Sequence, residues 1–260
     1  MLVDSHCHLD FPDFALDLEA VVARAQAAGV GTLLSINTNP QRFGRVAAVA
    51  ERFPQVWCTV GLHPHEAGHE PMPTAEHLLE LARHPKVAGF GETGLDYFYD
   101  KSPRDRQRVS FRHHIEAARR ADLPVVIHSR DADADMITIL RDEMGKGAFR
   151  GVIHCFTSGP QLSEIAVEFG LFLSVSGVVT FKKSDLLRAT LAAVPLENLL
   201  VETDCPYLAP MPHRGKRNEP AFVAHTAGVL AEVKGVAADE LARITTDNFH
   251  RLFRSVPRCG

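Results

Sequence analysis

Eight short apolar runs, separated by longer amphipathic stretches, constrain this chain more than any other feature. They fall near residues 2–7, 31–37, 56–62, 87–92, 124–129, 151–155, 171–176 and 199–203. Several are rich in Val, Ile and Leu with little alternation, as in strands buried on both faces of a parallel sheet. Between them apolar residues recur at helical spacing: Leu16, Leu18, Val21, Val22 and Ala25 near 15–28, then Phe111, Ile115 and Ala118 near 104–121. Pro12, Pro40 and Pro160 stand near helix starts, and Gly29, Gly145 and Gly170 near helix ends. Eight strands with helical crossovers predict an α/β fold closed into a (β/α)8 TIM barrel, one domain over residues 1–260. The rival is an open doubly wound sheet, which usually carries a glycine-rich phosphate turn after an early strand. None follows an early strand here, and there is no Walker sequence.

Bulk properties exclude some functions. The net charge of −4 gives no chain-wide basic footprint for duplex binding. Asp4 and His6 interrupt any apolar leader, and no run approaches a membrane span, so no membrane partner is expected. The five cysteines are scattered without a C-x-x-C, which fits a reducing cytoplasm and reads them as small apolar residues. A monomer or small homo-oligomer is expected.

The chemistry lies where the strands end. The first ends in His6 and His8, and the third in His63 and His65. The fourth ends in Glu92 and Asp96, and the fifth in His128, Arg130 and Asp131. The sixth ends in His154, and the eighth in Glu202 and Asp204. In a barrel these ends converge on one mouth. On a strand, residues i and i+2 share a face about 6.6 Å apart, so His6 and His8 can reach one ion while Cys7 faces away. The same alternation turns Cys155 and Cys205 away from the site, and puts Asp4 on the His6 face as a support for its imidazole. Burying so many polar groups without partners would cost roughly 1–3 kcal/mol each, and a metal centre removes the difficulty. By contrast His69, His77, His84, His113, His114, His225 and His250 fall in helices or loops and read as structural.

Four histidines and two carboxylates exceed one tetrahedral ion and suit two divalent cations with a bridging carboxylate. Glu92 is the bridge candidate, with His6 and His8 on one ion and His128 and His154 on the other. Asp204 would ligate the first ion and take a proton from water. Zn²⁺, Mn²⁺ or a more loosely held Mg²⁺ could serve. Two ions carry about +4 against two carboxylates, and neutral imidazoles leave the centre cationic. Such a centre favours an anionic phosphoester, to which His63 and Arg130 could add hydrogen bonds.

Together "DSHCHLD", "GLHPH", "GETGLDY", "LPVVIHSRDA", "GVIHCFTSG", "VETDCPYLAP" and "RNEP" resemble the TatD family of metal-dependent hydrolases, within the amidohydrolase superfamily. The resemblance implies a barrel deoxyribonuclease trimming single strands from the 3′ end. It makes His6, His8, Glu92, His128, His154 and Asp204 the metal ligands, with His63 near the scissile phosphate. The implied partner is nucleic acid, DNA with RNA left open. Within "HRGKRNEP" (213–220), Arg217 is the candidate for holding a nucleic-acid backbone, against the plainer reading of a solvated loop. Tyr97, Phe156 and Phe181 could stack bases, although packing is their commoner role. A D-aminoacyl-tRNA deacylase remains open within the resemblance. Cyclic amidohydrolases are disfavoured because Glu92 occupies the place of their carboxylated lysine. The PHP phosphoesterases are disfavoured because no D-x-H closes the chain. A non-catalytic metal-binding scaffold is the alternative from another class.

Overall fold

The apolar runs pair side by side. In the computed structural model, which describes residues 1–258, they form β1 (Leu2–Cys7), β2 (Val30–Ser35), β3 (Val56–Val60), β4 (Val87–Asp96), β5 (Val125–Arg130), β6 (Gly151–Ile153), β7 (Phe172–Val175) and β8 (Leu199–Val201). The sheet runs β1 to β8 in chain order and every neighbouring pair is parallel. Helices α1 (Leu18–Ala27), α2 (Phe43–Arg52), α3 (Ala75–Leu81), α4 (Arg104–Ala121), α5 (Asp133–Lys146), α6 (Pro160–Glu168) and α7 (Asp185–Ala193) connect the strands; α8 (Val223–Lys234) and α9 (Ala238–Leu252) follow the last. The expected TIM barrel is the observed fold. Cys259 and the expected domain end at residue 260 lie outside the described residues.

The seam between β8 and β1 is closed by the segment that follows β8. Asp204 N–H donates to the His6 carbonyl and His8 N–H to the Cys205 carbonyl, both at 2.9 Å. Asp4 completes the seam, accepting from Thr203 N–H at 2.9 Å and from the Thr203 hydroxyl at 2.6 Å. It therefore does not support the His6 imidazole, as alternation suggested. The β1 register is irregular between Asp4 and Cys7, which breaks the strict two-residue period.

Seven strands contribute to a small apolar cluster that includes Val3, Leu34, Ala88, Val126, Val152, Phe172 and Leu200, all buried. Most are the first or second residue of their strand. Phe249, Leu252, Phe253 and Val256, on and just beyond α9, plug the same cluster. Burial of each such side chain contributes about 1.5–3 kcal/mol, so the N-terminal end of the barrel is sealed and the opposite end is left for polar groups. A larger apolar layer, which takes in Val21, Val46, Phe111, Ile115 and Leu140, fills the space between sheet and helices.

Strand β4 runs four residues further than its apolar pattern indicated, because its register with β5 continues to Asp96 opposite Arg130. Residues 89–94 spell G-x-G-x-x-G, but inside this strand rather than in a phosphate turn. Close approach explains all three glycines, a Cβ at Gly89 lying 2.8 Å from the Pro124 carbonyl oxygen. A Cβ at Gly91 would lie 2.6 Å from the Val126 carbonyl oxygen, and one at Gly94 would lie 2.1 Å from that of His128. At the end of α5 the helix passes through Gly145, the expected stop, and ends at Gly147 with φ +157. No single helix among the described residues is long and apolar enough to cross a membrane.

His114 on α4 is a buried structural histidine. Its Nδ1–H donates to the Ser110 carbonyl at 2.7 Å, and its Nε2 accepts Leu62 N–H at 3.1 Å, pinning the backbone next to His63. Burial pushes its pKa down to about 4. The unfolded chain therefore takes up a proton near pH 6.5 that the folded state refuses until about pH 4, so stability falls as the pH drops through that window, by roughly 3 kcal/mol in full. Urea melts at pH 7 and pH 4.5 should show His114→Gln less stable than wild type at pH 7, with the gap narrowed at pH 4.5. An unchanged gap would exclude this linkage.

Candidate metal centre

The strand ends converge as expected. Glu92, buried at the mouth end of β4, has its backbone N–H held by the Asn37 carbonyl at 2.8 Å. Its two carboxylate oxygens face different imidazole groups. Oε2 lies 3.4 Å from His6 Nε2 and 4.0 Å from His8 Nε2. Oε1 lies 2.8 Å from both His128 Nδ1 and His154 Nε2, and 3.3 Å from His63 Nε2. Burial raises the Glu92 carboxyl, but His154, His63 and His128 outweigh it and hold the group well below the usual carboxylate range.

The first donor set has metal-like spacing. His6 Nε2 and His8 Nε2 are 3.3 Å apart, and Asp204 Oδ1 lies 3.6 and 3.4 Å from them. Ligands 2.0–2.1 Å from a tetrahedral ion stand about 3.3–3.4 Å from one another. The His6, His8 and Asp204 atoms stand near that value, and Glu92 Oε2 stands at it from His6 but farther, at 4.0 Å, from His8. In the second set His128 Nδ1 and His154 Nε2 are 3.2 Å apart, both against Glu92 Oε1.

Proton positions follow from the hydrogen bonds. His8 Nδ1 lies 3.2 Å from the Ile36 carbonyl, to which it can only donate, so in the neutral ring Nε2 keeps its lone pair for the centre. His63 is the reverse: its Nδ1 accepts the His65 N–H at 3.1 Å, so Nε2 carries the proton and points at Glu92. Burial pushes the His63 pKa down to about 4, which keeps the ring neutral at pH 7. Burial also works against a proton on His154, but Glu92 and Glu202 outweigh it and raise this group well above its ordinary value. The negative charge that draws a proton to that imidazole would equally draw a divalent cation.

Two carboxylates stand behind the imidazoles. Asp96 Oδ2 lies 3.0 Å from His128 Nε2 and 2.9 Å from His65 Nε2, while its Oδ1 accepts Tyr99 N–H at 2.9 Å. Burial raises the Asp96 carboxyl, and these two histidines more than reverse it. Glu202 lies beneath the second set, with Oε1 3.4 Å from His154 Nδ1. Both Glu202 oxygens, His154 Nδ1 and His6 Nδ1 are buried without a hydrogen-bond partner, a cluster of orphans that fits a cation held above it. The sequence marks Asp96 and Glu202 only as strand-end acids, four residues after and two before the acids that enter the centre.

The remaining expectations divide. Arg130 lines the mouth, a cavity of about 1060 Å³. Arg217 does not: its guanidinium makes paired bonds of 2.8 and 2.7 Å to Asp17 and lies over Phe14, because the segment after β8 folds back on α1. Phe156 is buried, Tyr97 donates to Asp135 at 2.6 Å, and Phe181 lies under Arg214, and none of the three lines the mouth. Cys155 corrects the alternation argument, since it lines the mouth with its sulfur 3.1 Å from Ser176 Oγ. Strand β6 ends at Ile153, and Cys155 adopts φ +44 in the loop beyond it. Burial pushes its thiol well up, which makes it a poor nucleophile.

The model of the family described as TatD related DNase matches residues 3–254. The chain belongs to the TatD family. It is 44% identical over 255 residues to metal-dependent hydrolase YcfH of Escherichia coli strain K12, covering 97% of this chain and 95% of that protein. It is 39% identical over 254 residues to metal-dependent hydrolase YabD of Bacillus subtilis strain 168, covering 98% and 99%. The crystal structure of YjjV, a TatD homologue from E. coli K12, superposes with a TM-score of 0.91 at 34% identity over 98% of both chains. This TatD-family chain is thus a metal-dependent hydrolase.

Removing the support behind a metal-binding imidazole typically costs 10–100-fold in affinity. Glu202→Gln should weaken Zn²⁺ binding by that order in a competition titration against a chromophoric chelator, with the circular-dichroism spectrum retained. Unchanged affinity would make Glu202 a bystander.

Proposed function

We propose that the chain is a phosphodiesterase acting on single-stranded nucleic acid, a deoxyribonuclease using two divalent cations. The observation that carries this reading is the division of Glu92 between two donor sets, one oxygen to each, at the floor of a mouth that also holds an unpaired arginine. His6, His8 and Asp204 would hold one ion, His128 and His154 the other, and Glu92 would bridge them. Zn²⁺ or Mn²⁺ suits so many imidazoles better than Mg²⁺. When bound, such a pair polarises a phosphoryl oxygen and makes water a better nucleophile at neutral pH.

The chain's own residues supply the rest. His63 Nε2–H is a neutral donor aimed into the mouth, placed to hydrogen-bond a phosphoryl oxygen. The Asp204 carboxylate faces His6 and His8 with its side chain 15% exposed, so it can accept a proton from the attacking water and release it to solvent. Burial raises this carboxyl, but His8, His6 and His154 outweigh it and hold it below its usual value, so it stands ionised at neutral pH. Arg130 has no carboxylate within ion-pair distance among the described residues and presents a planar fork of donors to an anion. A site built for a neutral amide would have no use for an arginine left free of carboxylates at its mouth.

Release of nucleotides from single-stranded DNA should require Mn²⁺ or Zn²⁺ and stop with chelator. Asp204→Ala should lower kcat by about 10²–10⁴, the usual worth of a positioned proton acceptor. Glu92→Ala should also bind fewer ions per chain by elemental analysis after dialysis. Hydrolysis persisting in metal-free Glu92→Ala would sink the mechanism. Failure with every divalent metal on both single-stranded DNA and bis(4-nitrophenyl) phosphate would sink the phosphodiesterase reading.

A further inference from the structure

Phe98, Tyr99 and Tyr207 are the exposed aromatic side chains among the described residues, at 54, 51 and 54% exposure, and all three line the mouth. Apolar rings left in water at one place mark a contact surface. Topology sets them in two groups. Phe98 and Tyr99 directly follow β4, and Arg130 ends β5; Phe11 follows β1, and Tyr207 lies beyond β8. In a barrel ordered β1 to β8, the β4/β5 rim and the β8/β1 rim are diametrically opposed. Glu92 and its histidines lie between them.

The rims differ in charge. On the β4/β5 rim the Arg130 guanidinium lies 4.3 Å from the Phe98 ring centre and 4.9 Å from that of Tyr99, with Lys101 Nζ 5.4 Å from Tyr99. Nearby, Asp100 pairs with Arg104, while Asp131 and Asp133, the latter accepting from Ser158, line the mouth beside the two cations. On the β8/β1 rim Tyr207 stands edge-on to Phe11, whose ring stacks on His8 at 4.5 Å. Among the described residues no lysine or arginine of that rim lines the mouth, and Arg217 is held by Asp17.

From this asymmetry we infer that the two rims are base-stacking platforms on either side of the cleaved phosphate. A single strand crosses the mouth, its phosphate-bearing body over Phe98, Tyr99, Arg130 and Lys101 and its terminal nucleoside against Tyr207 and Phe11. The body of the strand continues with further phosphates, which need cations, whereas the terminal nucleoside has none beyond the cleaved one. Aromatic rings accept any base, because every base has a π-face, so the platforms select single strands without reading sequence. Asp96 ties the β4/β5 platform to the centre, since its two oxygens engage Tyr99 N–H and the His128 imidazole.

This inference rests on the nucleic-acid reading and is tested by binding rather than turnover. Fluorescence anisotropy would compare a labelled phosphorothioate decathymidylate with an abasic ten-unit strand of equal charge, on metal-loaded protein. Wild type should prefer the strand with bases by at least tenfold. Phe98→Ala/Tyr99→Ala and Tyr207→Ala should each remove about tenfold of that preference, with melting temperatures near wild type because these rings are half exposed. Arg130→Ala should instead weaken both strands alike and reduce the salt dependence of binding. Equal affinity for both strands, or aromatic variants that keep the full preference, would overturn the platforms. A wild type that prefers bases yet hydrolyses no phosphodiester would overturn the nuclease reading and leave the platforms standing.

Discussion

A single buried carboxylate organises this molecule. Glu92 is 2% exposed, and five imidazoles stand within 4.0 Å of its oxygens. An unpaired carboxylate at such depth would be strongly destabilising, so the histidines are as necessary to it as it is to them. The five come from the ends of four strands, His6 and His8 from β1 and the others from β3, β5 and β6, and only a closed barrel brings those ends together. Gly91 and Gly94 of β4, which admit no Cβ, serve the same purpose, letting the strand carrying Glu92 approach β5 and its His128.

The barrel separates stability from chemistry along its axis. Apolar side chains from the strand starts, plugged by Phe249 and Phe253, fill the closed end and supply cohesion that owes nothing to the site. Toward the other end the interior turns polar: the Ser5 and Ser174 hydroxyls meet at 2.9 Å, and above them lie the histidines and acids. Cohesion at the closed end can therefore hold together an open end that would repel itself if it stood alone. The seam is the exception. There Asp4 bonds to Thr203 directly alongside His6 and Asp204, so closing the barrel and assembling the first donor set are one event.

What could be read from the sequence follows from what a periodic pattern encodes. Strand ends and helix faces are local, so the eight strands, the helix over 104–121 and the convergence of His6, His8, His63, Glu92, His128, His154 and Asp204 were all legible. Departures from ideal geometry were not. The β1 irregularity sends Asp4 to the seam, and the loop after β6 turns Cys155 into the mouth, because alternation ends where the strand does. Partner choice was equally hidden. Nothing local says that Arg217 will find Asp17, about 200 residues earlier, instead of a phosphate. The exposed rings lay in the motifs' shadow: "GETGLDYFY" points to Glu92 and Asp96, and only the fold shows that Phe98 and Tyr99 face water.

The imidazoles differ in how they are held, and the difference bears on which donor set is the more rigid. His8 gives Nδ1 to the Ile36 carbonyl, His63 uses Nδ1 to accept the His65 N–H, and His128 rests Nε2 on Asp96, so each has one nitrogen committed and one directed inward. His6 has no such anchor for Nδ1. Its ring instead lies flat on His154, with centroids 3.8 Å apart and planes 13° from parallel. Stacking fixes the plane of a ring but not its rotation within that plane. The two donor sets are thereby coupled through this pair, because any turn of His154 on its Glu202 support shifts the surface against which His6 rests. The two donor sets meet at Glu92 and at the stacked pair of His6 and His154, so neither is built independently of the other.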